Sequence, residues 1–314
     1  MDGRDVARIP VHLLEGIVCF GAVTVSPWLV GLCAEHGVGL SVLTEHGRFL
    51  GRWCGAVSGN VLLRRTQYRW ADDPEKATGM ARAFVLAKVA NCRHVVMRAM
   101  RDHGGEGGTL ATASRKLRWA LERLREAATV DEIRGIEGEA GREYFGVLDA
   151  MIRVEDDDFR FRRRSRRPPM DRVNALLSFV YTLLLHDARS ALESVGLDPQ
   201  VGFLHADRPG RPSLALDLME ELRPVLADRL VLSLVNRRQV RASGFEVRET
   251  GGVWMNEDTR RTVLVAWQER KKGELQHPFL GERCTVGALV HLQALLLART
   301  LRGDHDTYPP FFWK

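Results

Sequence analysis

The sequence predicts an α+β protein, with a small N-terminal β-sheet domain followed by a larger all-α-helical domain. Three observations carry that prediction. Before about residue 70 the chain runs as short apolar segments broken by glycines such as Gly21, Gly47, Gly55 and Gly59. After Pro74, apolar residues recur at helical spacing nearly to the end. A length of 314 residues with 45% hydrophobic content can bury two cores. The expected division is a β-rich domain over 1–70, a linker over 71–75 and a helical domain over 76–314.

Taken in order, strands are expected at 16–20, 39–43, 49–54 and 61–64. One helix interrupts them at 27–36, where Ser26-Pro27 supplies an N-cap with proline in the first turn and Gly37 supplies the stop. Helices at 75–100 and 110–128 follow, separated by the glycine-rich segment 104–108. Thr129-Val130-Asp131-Glu132 is a capping box, so the next helix begins near Val130. Its apolar stripe reads Ile133, Ile136, Ala140, Tyr144, Val147 and Leu148. Asp171 opens a helix that Gly196 stops, with Tyr181 on its core side, and Ser213 is read as the N-cap of a further helix after Pro209-Gly210-Arg211-Pro212.

Acidic and imidazole side chains fall at informative places on this frame. Glu137 lies on the apolar side of its helix, beside Ile133, Ala140 and Gly141 at i±3 and i±4. Burying an ionised carboxylate costs several kcal/mol, in order of magnitude about 5, unless a cation or hydrogen bonds compensate it. An arginine partner or a ligand would meet that need, and the small residues Gly138, Ala140 and Gly141 leave room for a close approach. His205 precedes the helix that carries Asp217, Glu220 and Glu221 in its first two turns. Such acids form either a solvated face or, with the imidazole, the donors of a divalent-metal site.

Six arginines within 160–167, namely Arg160, Arg162, Arg163, Arg164, Arg166 and Arg167, are interleaved with Phe159 and Phe161 and follow the acidic run at 155–158. A self-compensating linker is one reading; contact with a phosphate backbone is the other, since each guanidinium offers a fork of donors. The balance of 46 Lys+Arg against 40 Asp+Glu, a formal charge of +6, is compatible with a polyanionic partner. Five scattered cysteines, Cys19, Cys33, Cys54, Cys92 and Cys284, form no C-x-x-C pair, which points away from structural zinc and from a disulfide framework and towards a reducing cytoplasm. No apolar run reaches the length of a membrane span, and the first residues lack the apolar centre of a signal peptide.

Several segments together resemble a known family. They are Ile136-Glu137-Gly138-Glu139-Ala140; Arg167-Pro168-Pro169; Asn174-Ala175-Leu176-Leu177-Ser178-Phe179-Val180-Tyr181; Gly196-Leu197-Asp198-Pro199; Gly202-Phe203-Leu204-His205; and the stretch from Ser213 to Pro224. Their order and spacing are similar to those of CRISPR-associated protein one, the integrase of spacer acquisition, in its type I-C branch.

The resemblance implies a homodimer with an N-terminal β domain and a helical catalytic domain that holds Mn2+ or Mg2+ through Glu137, His205 and Glu220. Asp217 is implied to be another acid of the same cleft. Implied partners are double-stranded DNA (the prespacer and the CRISPR repeat), met in part by Arg162, Arg163, Arg164, Arg166 and Arg167; CRISPR-associated protein two; and a companion nuclease that trims prespacers. In the family further strands precede the segment resembling Arg8-Ile9-Pro10, so either the start is misassigned upstream or the β domain is truncated. Two other functions remain open on the residues: a repair-type metal nuclease for branched DNA, and a non-enzymatic helical scaffold that binds DNA.

Overall fold

The computed structural model describes residues 8–14, 16–44, 49–53, 61–102, 108–154, 157–249 and 251–313. Gly47, Cys54, Gly55, Gly59, Gly104 and Glu155, named above, lie outside the described residues. Two compact units are formed, Met1–Asn60 and Val61–Lys314, so the division falls some ten residues before the expected boundary at 70.

In the first unit, β1 (Gly16–Phe20) and β2 (Gly39–Leu43) pair in parallel across the crossover helix α1 (Pro27–Glu35), and β3 (Phe49–Trp53) pairs antiparallel to β2. The Ser26 hydroxyl accepts from Leu29 N–H and caps α1, as its position before Pro27 predicts. Cys33, Val38 and Leu40 form the buried centre, with Ile17, Leu29 and Val42 packed against it.

The second unit opens with a correction. Residues 61–64, expected as a strand, begin the helix α2 (Val61–Asp72). A short apolar run, Val61-Leu62-Leu63, does not distinguish strand from helix. Here the period is set further along, where Leu63 and Gln67, four residues apart, are the buried positions.

Helices α3 (Pro74–Asp102), α4 (Gly108–Glu126) and α5 (Val130–Gly146) pack on one another. Asp73 Oδ1 accepts from the N–H groups of Glu75 and Lys76 and caps α3. Thr129 Oγ1 accepts from Glu132 N–H, and the Glu132 carboxylate reaches back to Ala128 N–H, one residue beyond the cap. The stripe of α5 is buried as its spacing predicts, with Ile133, Ile136, Ala140 and Tyr144 turned inward.

At the centre of the remaining helices runs α6 (Arg172–Ser194), capped by Asp171 through Asn174 N–H. Around it are packed α7 (Ser213–Glu220), α8 (Arg229–Asn236), α9 (Glu257–Lys272) and α10 (Leu289–Arg302). A π-helical turn at Arg223–Asp228 joins α7 to α8.

This unit is not all-helical. Two short antiparallel hairpins, β4 (Phe245–Val247) with β5 (Val253–Met255) and β6 (Glu274–Gln276) with β7 (Arg283–Thr285), flank α9. Strands of three residues are too short to show alternation, so their pattern was invisible among the helices. Among the described residues no helix is long and apolar enough to cross a membrane.

Candidate metal and DNA site

The site is built from α3, α5, α7 and the loop at 202–205, all within the second unit. The stretch leading into the loop is held by α2. Gln67 donates through Nε2 to the carbonyls of Asp198 (2.7 Å) and Val201 (2.8 Å) and accepts from Asp198 N–H, while Tyr68 Oη donates to Asp198 Oδ2 at 2.8 Å. From the other side, Arg134 Nε of α5 donates to Leu204 O at 2.6 Å.

Asp217 completes the loop from below. It is fully buried, and both of its oxygens are engaged: Oδ2 accepts from the N–H groups of Phe203 (2.6 Å) and Leu204 (2.9 Å), and Oδ1 accepts from His205 N–H (3.0 Å) and His205 Nδ1 (2.6 Å). Asp217, expected as a further acid of the cleft, here serves the loop and the imidazole. Four donors saturate it, and it orients the His205 ring so that Nδ1 faces the Asp217 carboxylate and Nε2 is turned towards Glu220.

Glycine is required at position 202, because a Cβ there would lie 2.7 Å from Asp217 Oδ2 and 2.8 Å from the Ser213 carbonyl carbon. Gly202→Ala is expected to push the loop off Asp217 and cost about 2 kcal/mol, read as a lowered urea midpoint. Ser213 is not the N-cap expected from sequence; Pro212 holds that position, and the Ser213 hydroxyl donates to Ala206 O at 3.2 Å.

Glu137 and Glu220 converge on one cation, the ammonium of Lys88. Lys88 Nζ donates to Glu137 Oε1 and lies 2.6 Å from Glu220 Oε2. Arg223 Nη1 meets the other Glu220 oxygen at 2.6 Å, and His205 Nε2 lies 3.9 Å from that same oxygen. Burial opposes ionisation of Glu220, but Arg223, Lys88 and His205 outweigh it and hold the carboxyl well below its ordinary range. Burial likewise works to lower the Lys88 pKa, and the carboxylates of Glu220 and Glu137 reverse that, leaving it raised.

A solvated acidic face is excluded, since Asp217, Glu220 and Glu221 are all buried. Among the described residues no three His, Cys, Asp or Glu side chains close tightly enough on one point to hold a metal as they stand. The donor set nevertheless suits a divalent cation. Two carboxylates already share one positive charge, and the imidazole Nε2 of His205 stands beside them.

Beside Glu137 opens a cleft of about 430 Å³, lined by Lys88, Gly138, Gly141, Tyr181 and the arginine segment. A Cβ at Gly138 would meet nothing within 4 Å. The small residues around Glu137 thus keep space open instead of admitting another segment of the chain.

Arg162, Arg163, Arg166 and Arg167 are exposed. Arg164 lines the same cleft and is only partly exposed. Its Nη1 donates to Asn174 Oδ1 at 2.7 Å, its Nη2 donates to Ser178 Oγ at 3.2 Å and its guanidinium stacks 5.3 Å from the Tyr181 ring centroid, so its fork anchors the segment to α6. Arg160 pairs with Asp157 at 2.7 Å.

Sequence reasoning missed Lys88, Asp228 and the use made of Glu221. Lys88 carried a readable signal: it follows Ala81, Phe84 and Val85 at helical spacing on the apolar face of α3, the mirror of Glu137 on α5. Asp228 accepts from Tyr181 Oη (2.6 Å) and Tyr144 Oη (3.0 Å), and burial outweighs these bonds to push its carboxyl up to about 6. Burial similarly pushes Glu221 up to about 7.

A carboxyl raised in the folded state lends stability that is full below its unfolded pKa and is lost as pH rises through its folded pKa. Stability should therefore fall between about pH 4 and 7, the Asp228 part being lost as pH rises to about 6 and the Glu221 part as it rises to about 7. The total is several kcal/mol, about 3 for each group at most. Urea unfolding across that range is expected to show the decline, with a shallower one for Asp228→Asn.

Comparison with known proteins gives consistent relatives. A family model described as CRISPR associated protein Cas1 matches residues 1–269. The chain is 56% identical over 316 residues to a CRISPR-associated endonuclease Cas1 of Chlorobaculum tepidum, covering 100% of this chain and 92% of that protein. It is 54% identical over 322 residues to another from Rhodospirillum rubrum, with the same coverage of 100% and 92%.

Among solved structures, a Cas1 protein from Thermotoga maritima superposes with a TM-score of 0.78 at 24% identity, over 98% of this chain and 91% of that one. A casposase bound to its integration product gives 0.80 at 22% identity, over 95% and 82%. The Cas6-RT-Cas1–Cas2 complex gives 0.79 at 23% identity, over 96% of this chain and 32% of that one. At these identities the likenesses concern the fold. The family model and the two close relatives carry the assignment: this chain belongs to the Cas1 family of CRISPR-associated proteins.

Proposed function

We propose that this chain is a CRISPR adaptation integrase and endonuclease of the type I-C branch. It would join prespacer DNA to a CRISPR repeat by divalent-cation-dependent strand transfer. The observation that carries this reading is the meeting of Glu137 and Glu220 on a single cation, next to the Nε2 of His205 and at the edge of an arginine-lined cleft.

Glu137, Glu220 and His205 would hold Mn2+ or Mg2+, and the bound ion would polarise a non-bridging phosphate oxygen and stabilise charge on the attacking or leaving oxygen. Asp217 keeps the imidazole in the orientation that ligation requires. The exposed arginines Arg162, Arg163, Arg166 and Arg167 hold the duplex through its phosphates. A 3′-hydroxyl of the prespacer attacks the repeat phosphodiester. One P–O bond forms, another breaks, and the released 3′-oxygen takes up the proton the nucleophile loses. The number of phosphodiesters is unchanged, so no external energy is needed; water as nucleophile gives a nick instead.

Support for DNA and a second CRISPR-associated protein as partners comes from the fold neighbours, one a casposase on its integration product and one a complex containing Cas2. A homodimer, a prespacer-trimming companion nuclease and a cytoplasmic setting complete the proposal.

The test is an assay with a labelled prespacer duplex and a repeat-bearing target, run with Mn2+, with Mg2+ and with EDTA. Joined product with either ion, and loss of at least about 10²-fold in EDTA with duplex binding retained, is the expected result. Joining that proceeds undiminished in EDTA would overturn the reading, and nicks without joined product would favour a repair-type nuclease.

A further inference from the structure

The cation between Glu137 and Glu220 belongs to the protein itself. Lys88 rises from α3 into buried surroundings, contacts Glu137 Oε1 and stands 2.6 Å from Glu220 Oε2, the two carboxylate oxygens that a divalent ion would also need. Two cations cannot share those oxygens without strong repulsion, because like charges a few ångströms apart in a poorly hydrated site are costly.

The charge balance points the same way. Glu137, Glu220 and Asp217 carry three negative charges, and Lys88 and Arg223 carry two positive ones. Adding a divalent ion with Lys88 in place leaves the group positive, whereas exchanging the ion for Lys88 makes it neutral. Space for the exchange exists. Lys88 lines the open cleft together with Cys92, Gly138 and Gly141, and a Cβ on Gly138 would touch nothing.

We propose that Lys88 is a place-holding counter-cation, which keeps the Glu137–Glu220 pair together before the divalent ion binds and then swings into the arginine-lined cleft. The inference rests on the divalent-cation reading above and deepens it. Binding of the ion is thereby coupled to delivery of one more ammonium to the place where the phosphate of the DNA would lie. Lys88 is in this sense a positioning residue for the ion and a phosphate contact afterwards.

The test uses the full chain and MnCl2 in isothermal titration at one pH, comparing wild type with Lys88→Met. The expected result is Mn2+ affinity at least tenfold tighter in the variant, because the competitor is gone, together with a lower melting temperature before the ion is added. Equal or weaker affinity in Lys88→Met overturns the exchange. Absence of Mn2+ binding by both proteins overturns the cation reading itself, an outcome distinct from equal binding.

Should Lys88→Met fail to fold, wild type alone decides. Reductive methylation of its lysines with and without Mg2+, read by peptide mass spectrometry, is expected to show Lys88 protected without the ion and severalfold more reactive with it. Unchanged reactivity of Lys88 while Mg2+ binds refutes the exchange.

Discussion

Glu220→Gln is expected to abolish strand joining, with a loss of at least about 10³-fold, while duplex affinity stays within about threefold. The side chain keeps its volume, so the packing of α7 survives; what is lost is a negative charge that three groups address. Lys88 lies 2.6 Å from one oxygen, and Arg223 at 2.6 Å and His205 at 3.9 Å address the other. A neutral amide holds neither ammonium nor divalent ion comparably, and the site loses one of its two converging carboxylates. Duplex affinity is expected to be insulated because the exposed arginines proposed to supply it do not touch Glu220. Joining and gel-shift assays on the same preparation check both halves; joining at wild-type rate would remove Glu220 from the chemistry.

One residue further on, Glu221→Ala is expected to act through stability alone and to cost about 3–5 kcal/mol, because it leaves buried hydrogen-bond donors without their acceptor and opens a cavity. The neighbouring glutamates point to opposite sides of the helix end. Glu221 Oε1 accepts from Tyr308 Oη (2.5 Å) and Gln293 Nε2 (3.1 Å), and Oε2 accepts from Phe311 N–H (2.6 Å). Asn91 of α3 reinforces the clasp, donating to the carbonyls of Glu221 (2.7 Å) and Phe311 (2.8 Å) and accepting from Trp313 N–H (2.8 Å). Removing the carboxyl group strands two donors, Tyr308 Oη and the Phe311 N–H, in a dry interior and loosens the segment 308–313. A fall in melting temperature of about 10 °C is expected for a unit of this size, together with proteolysis near Tyr308 in the folded protein. A variant that melts as wild type does would show the clasp to be idle.

How much of this could be read from sequence depended on the range of each interaction. Local devices were legible: Ser26, Thr129 and Asp171 cap the helices they precede, and the stripe of α5 faces inward. The misplacement of Glu137 on that stripe was legible too. Its partner was not, because the contact with Lys88 spans 49 positions and neither residue names the other. Arg164 looked like its neighbours in the cluster, and only the packing of α6 turned its fork inward onto Asn174 and Ser178. Asp217 and Glu220, three residues apart, looked alike as acids of one face; the backbone amides of 203–205 separate them by saturating the first. At 61–64 the local signal was ambiguous, and the longer helical period of α2 prevailed.

That last helix bears on how the protein can be cut. The change of texture near Pro74 invites a truncation there, to isolate the catalytic portion as a soluble fragment. Such a fragment would discard the Gln67 amide and the Tyr68 phenol, the two clamps that pin the stretch leading into His205. Its imidazole would keep Asp217 and, through Leu204, Arg134, but would lose the anchor upstream of the loop, so loss of activity in that fragment would not bear on the proposed ligands. Any excised portion meant to keep the active constellation has to begin no later than Val61.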